Sequence, residues 1–417
     1  AVDGCVERTF YRDSDGDERG DPTMSMSACE APDGFVEDAT DCNDDCNVCW
    51  TDNAEACDGE DNDCDGFSDE GLLVPVGEPV PVATTNGDDR ALGAAPLSDG
   101  RILVAYTDAD GMGQTIAFAP STGVSSPIND GFDGDQFLML PSVRGGDAAL
   151  IYDGVPLTGR TISRGGVEGD DVMLRRSPDG FTPVQAIAAT RLQADEVALV
   201  YGVVARAEFR VLDPNLTAGS AAVDPLDGIA FRDAPIFNIL PVSEDVVHLI
   251  AIFDPLQPSS SIRFRVVRRG VPEGDWIPLV EKPNLASVAS GIDPDGFLDL
   301  GFSSGPDMLS LQFEVQRFRP EEGAWASEGD AEAFGETGLR LLMQQVAYRG
   351  SDALFLVRDI AADMETSTLE AFRRDGQRLE LGAGRGFTDV VPIDDGFLFR
   401  RAEGDETTVS FRALGCE

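Results

Sequence analysis

Histidine and lysine are nearly absent from this 417-residue chain: His248 and Lys282 are the only examples of each. A Ser-His-Asp arrangement is therefore left with a single candidate base. That base stands inside the apolar run VVHLIA from Val246, where a packed residue is the simpler expectation. Positive charge as a whole is scarce, since 31 basic residues, nearly all arginine, face 76 acidic ones for a formal net charge of -45. So acidic a surface repels nucleic acid and anionic membranes, and neither is expected as a partner. No apolar run approaches the roughly 18 to 20 residues that span a bilayer, so no transmembrane segment is expected. No signal peptide is present, and a chain that begins at Ala1 is expected to be a processed, mature form.

Cysteine is missing between Cys64 and Cys416, whereas seven of the eight cysteines fall between Cys5 and Cys64. Such a cluster reads as a disulfide framework formed in an oxidising compartment, which points to a secreted or cell-surface protein. Seven is odd. If all are paired, at least one N-terminal cysteine bonds Cys416 and ties the two ends of the chain together.

Composition changes abruptly near Gly71. The first 71 residues carry 23 acidic residues and three arginines, with few aliphatics. Beyond them, strand-like apolar runs alternate with turn signals, and a convincing amphipathic helix is missing. We therefore expect a small acidic module at 1–71 and a second domain at 72–417.

The second domain repeats in layout while its residues vary. Seven polar turns recur at intervals of 44 to 56 residues: Asp99-Gly100, Gly146-Asp147, Ala194-Asp195, Glu244-Asp245, Asp295-Gly296, Ser351-Asp352 and Asp395-Gly396. After each comes a short apolar run, such as RILVAY from Arg101 or FLDLGF from Phe297. A more alternating run follows in most units, as in SIRFRVVRR from Ser261. Three or four strands per unit at a period near 50 predict an all-β fold, a seven-bladed β-propeller preceded by a loop-dominated, disulfide-rich module. The last unit ends with three strands and needs a fourth. Residues 73–83, where Val74, Val76, Val80 and Val82 alternate with Pro75, Pro79 and Pro81, can supply it. Because proline donates no ladder bond, that strand would sit at a sheet edge. The alternatives are a polyproline linker for this segment and a pair of β-sandwiches for the domain, and the latter does not explain a sevenfold repeat.

Chemistry concentrates in the acidic module. In Asp13-Ser-Asp15-Gly-Asp17-Glu-Arg19-Gly-Asp21 and in Asp61-Asn-Asp63-Cys-Asp65-Gly66-Phe67-Ser-Asp69-Glu70, loop positions 1, 3, 5 and 9 are acidic. A loop that wraps a hard cation needs this layout: alternate side chains turn inward and the seventh residue, Arg19 or Phe67, offers its carbonyl. Gly66 also occupies the sixth position, where the sharp turn requires it. Neither loop has Glu at position 12, so neither is a complete EF-hand. We expect two or more calcium ions here.

The segment CDGEDNDCDGFSDEG, from Cys57 to Gly71, resembles the MopE-type metal-binding motif, which is similar to thrombospondin type 3 calcium repeats. The resemblance extends upstream through YRDSDGDERGDP, ACEAPDGFV and DCNDD, and so covers about the first 71 residues. It implies a further calcium site formed by Asp41, Asn43, Asp45 and Glu55. Where the family usually carries an Asn-Pro-Gly stretch, this chain has Cys46, Cys49 and Trp50. The family's namesake is similar to a copper protein that uses histidines and a modified tryptophan, but the one histidine here is far from Trp50, so copper is not expected.

Cys42, Cys46, Cys49 and Cys57 could bind zinc and Cys46-Asn-Val-Cys49 could be a redox pair, yet structural disulfides fit a secreted, cysteine-dense module better. Haem attachment would need histidine where Trp50 stands. Neither a Ser-x-Asp-x-Gly-x-Thr-Trp box nor a sialidase-type arginine triad is found, although paired carboxylates leave glycoside hydrolysis open. Asp108 with Asp110, and Asp130 with Asp133 and Asp135, read equally as further calcium loops or acidic hairpins. The expected function is calcium-dependent, non-enzymatic binding of an extracellular protein or glycan, in the manner of an adhesion protein. A structural subunit of an extracellular filament or surface layer is the first alternative, and a carbohydrate-active enzyme the second.

Overall fold

The computed structural model describes the chain except residues 1–5, 65–71, 73, 87–91, 109, 111, 129–130, 134–135, 177, 181–183, 204–205, 228–235, 294, 308, 322, 350–351, 361–365, 375, 386, 394–395, 404–405 and 416–417. Strands, turns and loops account for all described residues; none is helical, and so no helix is long and apolar enough to cross a membrane. The chain divides into two compact units. One comprises Ala1–Val76 with Tyr348–Ala353 and Leu414–Glu417, the other Gly77–Ala347 with Leu354–Ala413.

The first unit has one small sheet, in which Arg8–Arg12 lies between Asp21–Ala28 and Phe35–Val36. Turns and loops make up the other described residues before Val74, apart from isolated bridge residues. Two disulfides, Cys42–Cys64 and Cys46–Cys49, cross-link them, and Cys29 and Cys57 are disulfide-bonded as well. The expected partnership of Cys416 lies outside the described residues.

The second unit is a succession of antiparallel meanders. Leu92–Pro96, Ile102–Thr107, Met112–Ala119 and Val124–Pro127 form the first sheet, with Phe132–Asp133 added on Met112–Ala119. Phe137–Leu140, Ala148–Tyr152, Leu157–Ile162 and Val172–Arg175 form the second. Gln185–Arg191, Val197–Val203 and Arg206–Leu212 form the third, extended by isolated bridges from Gly219 and Val223. The fourth is Ile236–Pro241, Val246–Phe253, Ser261–Arg268 and Val271–Glu281. A fifth (Ser287–Ile292, Leu298–Ser304, Leu311–Glu321, Ala324–Ser327) and a sixth (Glu332–Arg349, Asp352–Ile360, Thr366–Arg373, Arg378–Arg385) are joined by a parallel bridge from Ser290 to Gln345. The seventh orders Phe387–Ile393, Gly396–Glu403 and Glu406–Gly415, and its outer strand is Val74–Asn86. The proline-rich segment is thus an edge strand and not a free linker, as its missing amide donors require.

Burial explains the sequence pattern. Second strands are covered on both faces, so VVHLIAIF and AALIY are buried at every position and read as unbroken apolar runs. Third strands alternate, as in RAEFRVL. Outer strands such as VPEGDWIPLVE are largely exposed. Apolar clusters fill the space between successive sheets: Leu103 with Leu150, Ile151 with Leu199, Val200 with Leu249, and Ile250 with Leu300 belong to the same clusters in turn. Phe313 of the fifth sheet meets Phe355 and Phe372 of the sixth, with ring centroids 5.7 and 5.1 Å apart. Leu398, Val409, Phe411 and Val82 of the seventh sheet pack on Val104 and Phe118 of the first. The first strand of the seventh sheet also lies beside the first strand of the first.

Five of the sequence turns fall between the first and second strands of a sheet, and Asp352 and Gly396 begin the second strands of the sixth and seventh; Ser351 and Asp395 lie outside the described residues. One hydrogen-bond pattern recurs in them. The amides of Leu97, Leu192, Val242 and Asp293 donate to the carbonyls of Arg101, Glu196, Val246 and Phe297, each four residues on. Gly100, Asp195 and Gly296 take equivalent left-handed positions at φ 81°, 62° and 85°, conformations that favour Gly or Asp. This is why the turns could be found by composition.

Candidate metal centre

The first acidic loop connects Arg8–Arg12 to Asp21–Ala28 and folds on its own carboxylates. Asp13 Oδ1 accepts from the Gly16 amide at 2.7 Å and Oδ2 from Glu18 at 3.3 Å, while Asp15 and Asp17 accept the amides two residues on, at 3.1 and 2.7 Å. Gly16 and Glu18 adopt φ 86° and 72°, which lets the chain curl around this point. Asp13, Asp15 and Asp17 each bring a carboxylate oxygen within 4.8 Å of the others. Oxygens that share one calcium at 2.3–2.6 Å are at most about 5 Å apart, so the three can share an ion.

Asp41 supplies what a mere acidic turn lacks. It is 1% exposed, its Oδ1 accepts the Asn43 amide at 2.8 Å, and its Oδ2 has no hydrogen-bond partner. The Oδ2 atoms of Asp15 and Asp17 are likewise buried and without a partner. Burial raises the Asp41 carboxyl above its ordinary range, and the charges of Asp15, Asp17 and Asp44 raise it further. Asp15 is raised by burial and by the charges of Asp17, Asp13 and Asp44. Buried, mutually repelling carboxylate oxygens without donors are an unstable arrangement until a cation neutralises them. The donor set is oxygen only, which fits a hard ion such as calcium.

Asp44, which sequence reasoning passed over in favour of Asp45, docks this segment onto the loop. Its carboxylate accepts from the Ser14 amide at 2.6 Å, the Ser14 hydroxyl at 2.7 Å and Arg12 Nε at 2.7 Å. Burial by itself would raise the Asp44 carboxyl, but these bonds outweigh it and hold it below the ordinary range. Arg19 lies 3.8 Å over the Trp50 ring, a cation–π contact between the same two segments. Asp21 is turned to Thr23, accepting its amide and hydroxyl at 2.7 and 2.6 Å, and does not join the trio.

A second carboxylate group consists of Glu55, Asp61 and Asp63, again with oxygens within 4.8 Å of one another. Glu55 Oε1 accepts the amides of Asn62 and Asp63 at 2.7 and 2.9 Å and so aims at the loop. Asp65, Phe67, Asp69 and Glu70 lie outside the described residues. The set Asp41, Asn43, Asp45 and Glu55 is therefore divided in the structure. Asp41 feels the charges of Asp15, Asp17 and Asp44, Glu55 groups with Asp61 and Asp63, and Asn43 accepts the Asp45 amide at 3.4 Å. The cause is local: the Asp41–Trp50 bridge and the Trp50 amide's bond to the Asn62 carbonyl at 3.0 Å hold the intervening chain between the two loops.

Cys42 and Cys46 belong to different disulfides, so the four cysteines weighed for zinc are not free thiolates. His248 is 6% exposed, and burial lowers its pKa to about 4. Its Nδ1 accepts from the Trp325 indole at 2.9 Å, and it packs on Phe264. Asp108 accepts from the Asp110 and Met112 amides, both at 3.0 Å, and from Gln114, which is the bonding of an acidic hairpin. Asp130 and Asp135 lie outside the described residues.

No protein-family model matches the chain, and no curated protein matches it. Among solved structures, AofleA from Arthrobotrys oligospora is similar at 12% identity and a TM-score of 0.44, over 77% of this chain and 93% of that one. A triple arginine-to-alanine mutant of the same protein gives 12% identity and a TM-score of 0.46, over 77% and 94%. Likeness at this level carries no functional argument.

Proposed function

We propose that this is a secreted or cell-surface binding protein of the adhesion type, in which a calcium-stabilised module, residues 1–71, precedes a seven-bladed β-propeller, residues 72–417. The observation that carries the calcium reading is the grouping of Asp13, Asp15 and Asp17 within 4.8 Å of one another, where Asp15 and Asp17 each keep a buried oxygen that lacks a donor. Calcium would neutralise these carboxylates and those of Glu55, Asp61 and Asp63, and the MopE-type resemblance supports the same ion. The module has little apolar core, so cations and disulfides would rigidify it. The propeller reading is supported by the succession of antiparallel meanders, the packing of each on the next, and the packing of the seventh on the first. A neutral, buried His248 bonded to Trp325 favours a binding role over histidine-based catalysis.

Calorimetric titration of chelator-treated protein with calcium tests the reading. Two or more bound ions are expected, with stabilisation of about 2.7 kcal/mol when free calcium is about 100 times Kd. Absence of binding by folded protein would overturn it.

One observation favours a second reading, a filament or surface-layer subunit. Asp21–Ala28 is the edge strand of its sheet and exposes Met24 and Met26, at 46% and 43%, which suits strand addition by another subunit. Calcium-induced assembly of purified protein would decide for it.

A further inference from the structure

A cavity of about 480 Å³ opens between the second and third sheets, lined by Arg175, Tyr201, Arg206, Glu208, Arg210 and Asp224 among others. Three arginines around one concavity stand out in a chain of net charge -45. The acids beside them are already engaged. Glu208 accepts from Arg175 Nη2 at 2.8 Å and from the Tyr201 hydroxyl at 2.9 Å, and Asp224 accepts the Leu226 amide at 2.8 Å. Arg210 donates only to carbonyls, those of Ser220 at 3.1 Å and Leu174 at 3.0 Å. Arg175 Nε is buried and has no acceptor. Arg206 is exposed at the start of its strand. The cavity therefore offers more donors than acceptors.

The junction between the first and second sheets shows what such a frame accepts. Arg160 pairs with Leu150, two residues before Tyr152, as Arg210 pairs with Leu199, two residues before Tyr201. At Arg160 the chain supplies its own carboxylate: Glu168 accepts from Arg160 Nη1 at 2.5 Å and from the Thr115 hydroxyl at 2.7 Å. The Phe132 ring closes the place, 4.9 Å from Tyr152. By contrast, the cavity of about 320 Å³ between the third and fourth sheets is lined by Glu196, Asp213, Glu244 and Asp245, and its one arginine, Arg269, is bonded to Asp245. Of these two cavities, the arginine-lined one has the charge to receive an anion.

We propose that this cavity binds a carboxylate-bearing sugar, a uronic acid, with Arg206 and Arg210 taking the carboxylate and Glu208 accepting from a ring hydroxyl. Guanidinium groups suit a planar carboxylate, and an ionised carboxylate keeps acceptor sites beyond two bonds. The inference deepens the binding-protein reading and rests on it.

The test is calorimetric titration of the intact, calcium-loaded protein with sodium D-glucuronate and, separately, D-glucose, with NMR of the sugar to reveal any turnover. Saturable glucuronate binding, at least about tenfold tighter than glucose, is expected. Arg206→Gln should weaken it at least about fivefold and leave the melting temperature unchanged. Equal binding of the two sugars, no saturation by folded protein, or glucuronate binding that survives both Arg206→Gln and Arg210→Gln would overturn the site. Binding to other glycans that Arg206→Gln leaves intact, with no glucuronate bound, would overturn this site alone. Turnover abolished by Arg206→Gln would support the site and overturn the non-enzymatic reading.

Discussion

Arg374 grips the buried carboxylate of Asp299 with two hydrogen bonds across adjacent sheets, Nε to Oδ1 at 3.1 Å and Nη2 to Oδ2 at 2.6 Å. Asp299 lies on the second strand of the fifth sheet and is fully buried, while Arg374 follows the third strand of the sixth. Arg374 also reaches Asp293 at 3.4 Å, and Arg317, stacked at 4.1 Å on Phe297, pairs with the same Asp293. Arg374 thus fastens the sixth sheet to two buried acids of the fifth, which Arg317 pairs from within the fifth sheet itself. Removing Arg374 takes the two-bond partner from a fully buried carboxylate, to which Arg317 comes no nearer than 4.0 Å.

Arg374→Ala is accordingly expected to destabilise the large unit by roughly 3 to 5 kcal/mol, measured by urea unfolding. Adding Asp299→Asn should recover part of that loss, because the stranded charge then disappears. A double variant no more stable than Arg374→Ala would refute the pairing.

Asp41 and Asp45 separate the structural assignment of ligands from the one the sequence suggests. If calcium sits at the proposed Asp13, Asp15 and Asp17 site, Asp41→Asn, which removes a charge that acts on Asp15 and Asp17, should weaken its binding by about tenfold or more. Asp45→Asn should leave calcium affinity within about twofold. Calorimetry of the two variants decides, and the reverse order would place the ion on the Asp45 side.

His248 gives the protein a pH dependence of known sign. Its folded pKa of about 4 is below the ordinary 6.5, so the unfolded chain takes up the proton first. Stability linked to His248 is complete above pH 6.5 and is lost as pH falls toward about 4, by roughly 3 kcal/mol in all. His248→Gln keeps an acceptor for Trp325 and should flatten the fall of melting temperature across that window. Equal slopes in the two proteins would mean that the imidazole does not resist protonation.

The edge strand Val74–Asn86 is tied in by Val82, which is 5% exposed, and by the Ser125 hydroxyl, which donates to the Val82 carbonyl at 2.6 Å. Val82→Asp puts an unpaired charge beside Val104 and Phe118 and should cost about 3 kcal/mol or more. Pro81→Ala, at an exposed position, should be nearly neutral. Matching melting temperatures for Val82→Asp and the parent would count against this pairing.

The repeat was legible because one structural rule, a tight turn after a first strand, recurs with Gly or Asp at Gly100, Asp195 and Gly296. The two-face burial of second strands was legible for the same reason, as unbroken apolar runs. The acidic loops announced themselves by alternate carboxylates, but their grouping did not. Asp41 and Glu55 are assigned by where the chain bends between them, through the Asp41–Trp50 bridge and the Asn62 carbonyl, and no local spacing encodes that. Asp44 was missed because its role is to dock one segment on Ser14 and Arg12, a tertiary relation. The arginine-lined cavity joins Arg175 to residues 206–224, which belong to a different sheet.

Val74–Asn86 shares a sheet with Glu406–Gly415, so a strand synthesised early waits for a partner made some 320 residues later. A loop of that length is closed only when nearly the whole chain exists, and sheets built on such distant pairings form slowly. The seventh sheet is therefore the last to be completed, and until then its proline-rich strand has no ladder to join. Any truncation that removes Glu406–Gly415 should leave every preceding sheet complete and Val74–Asn86 without its partner strand.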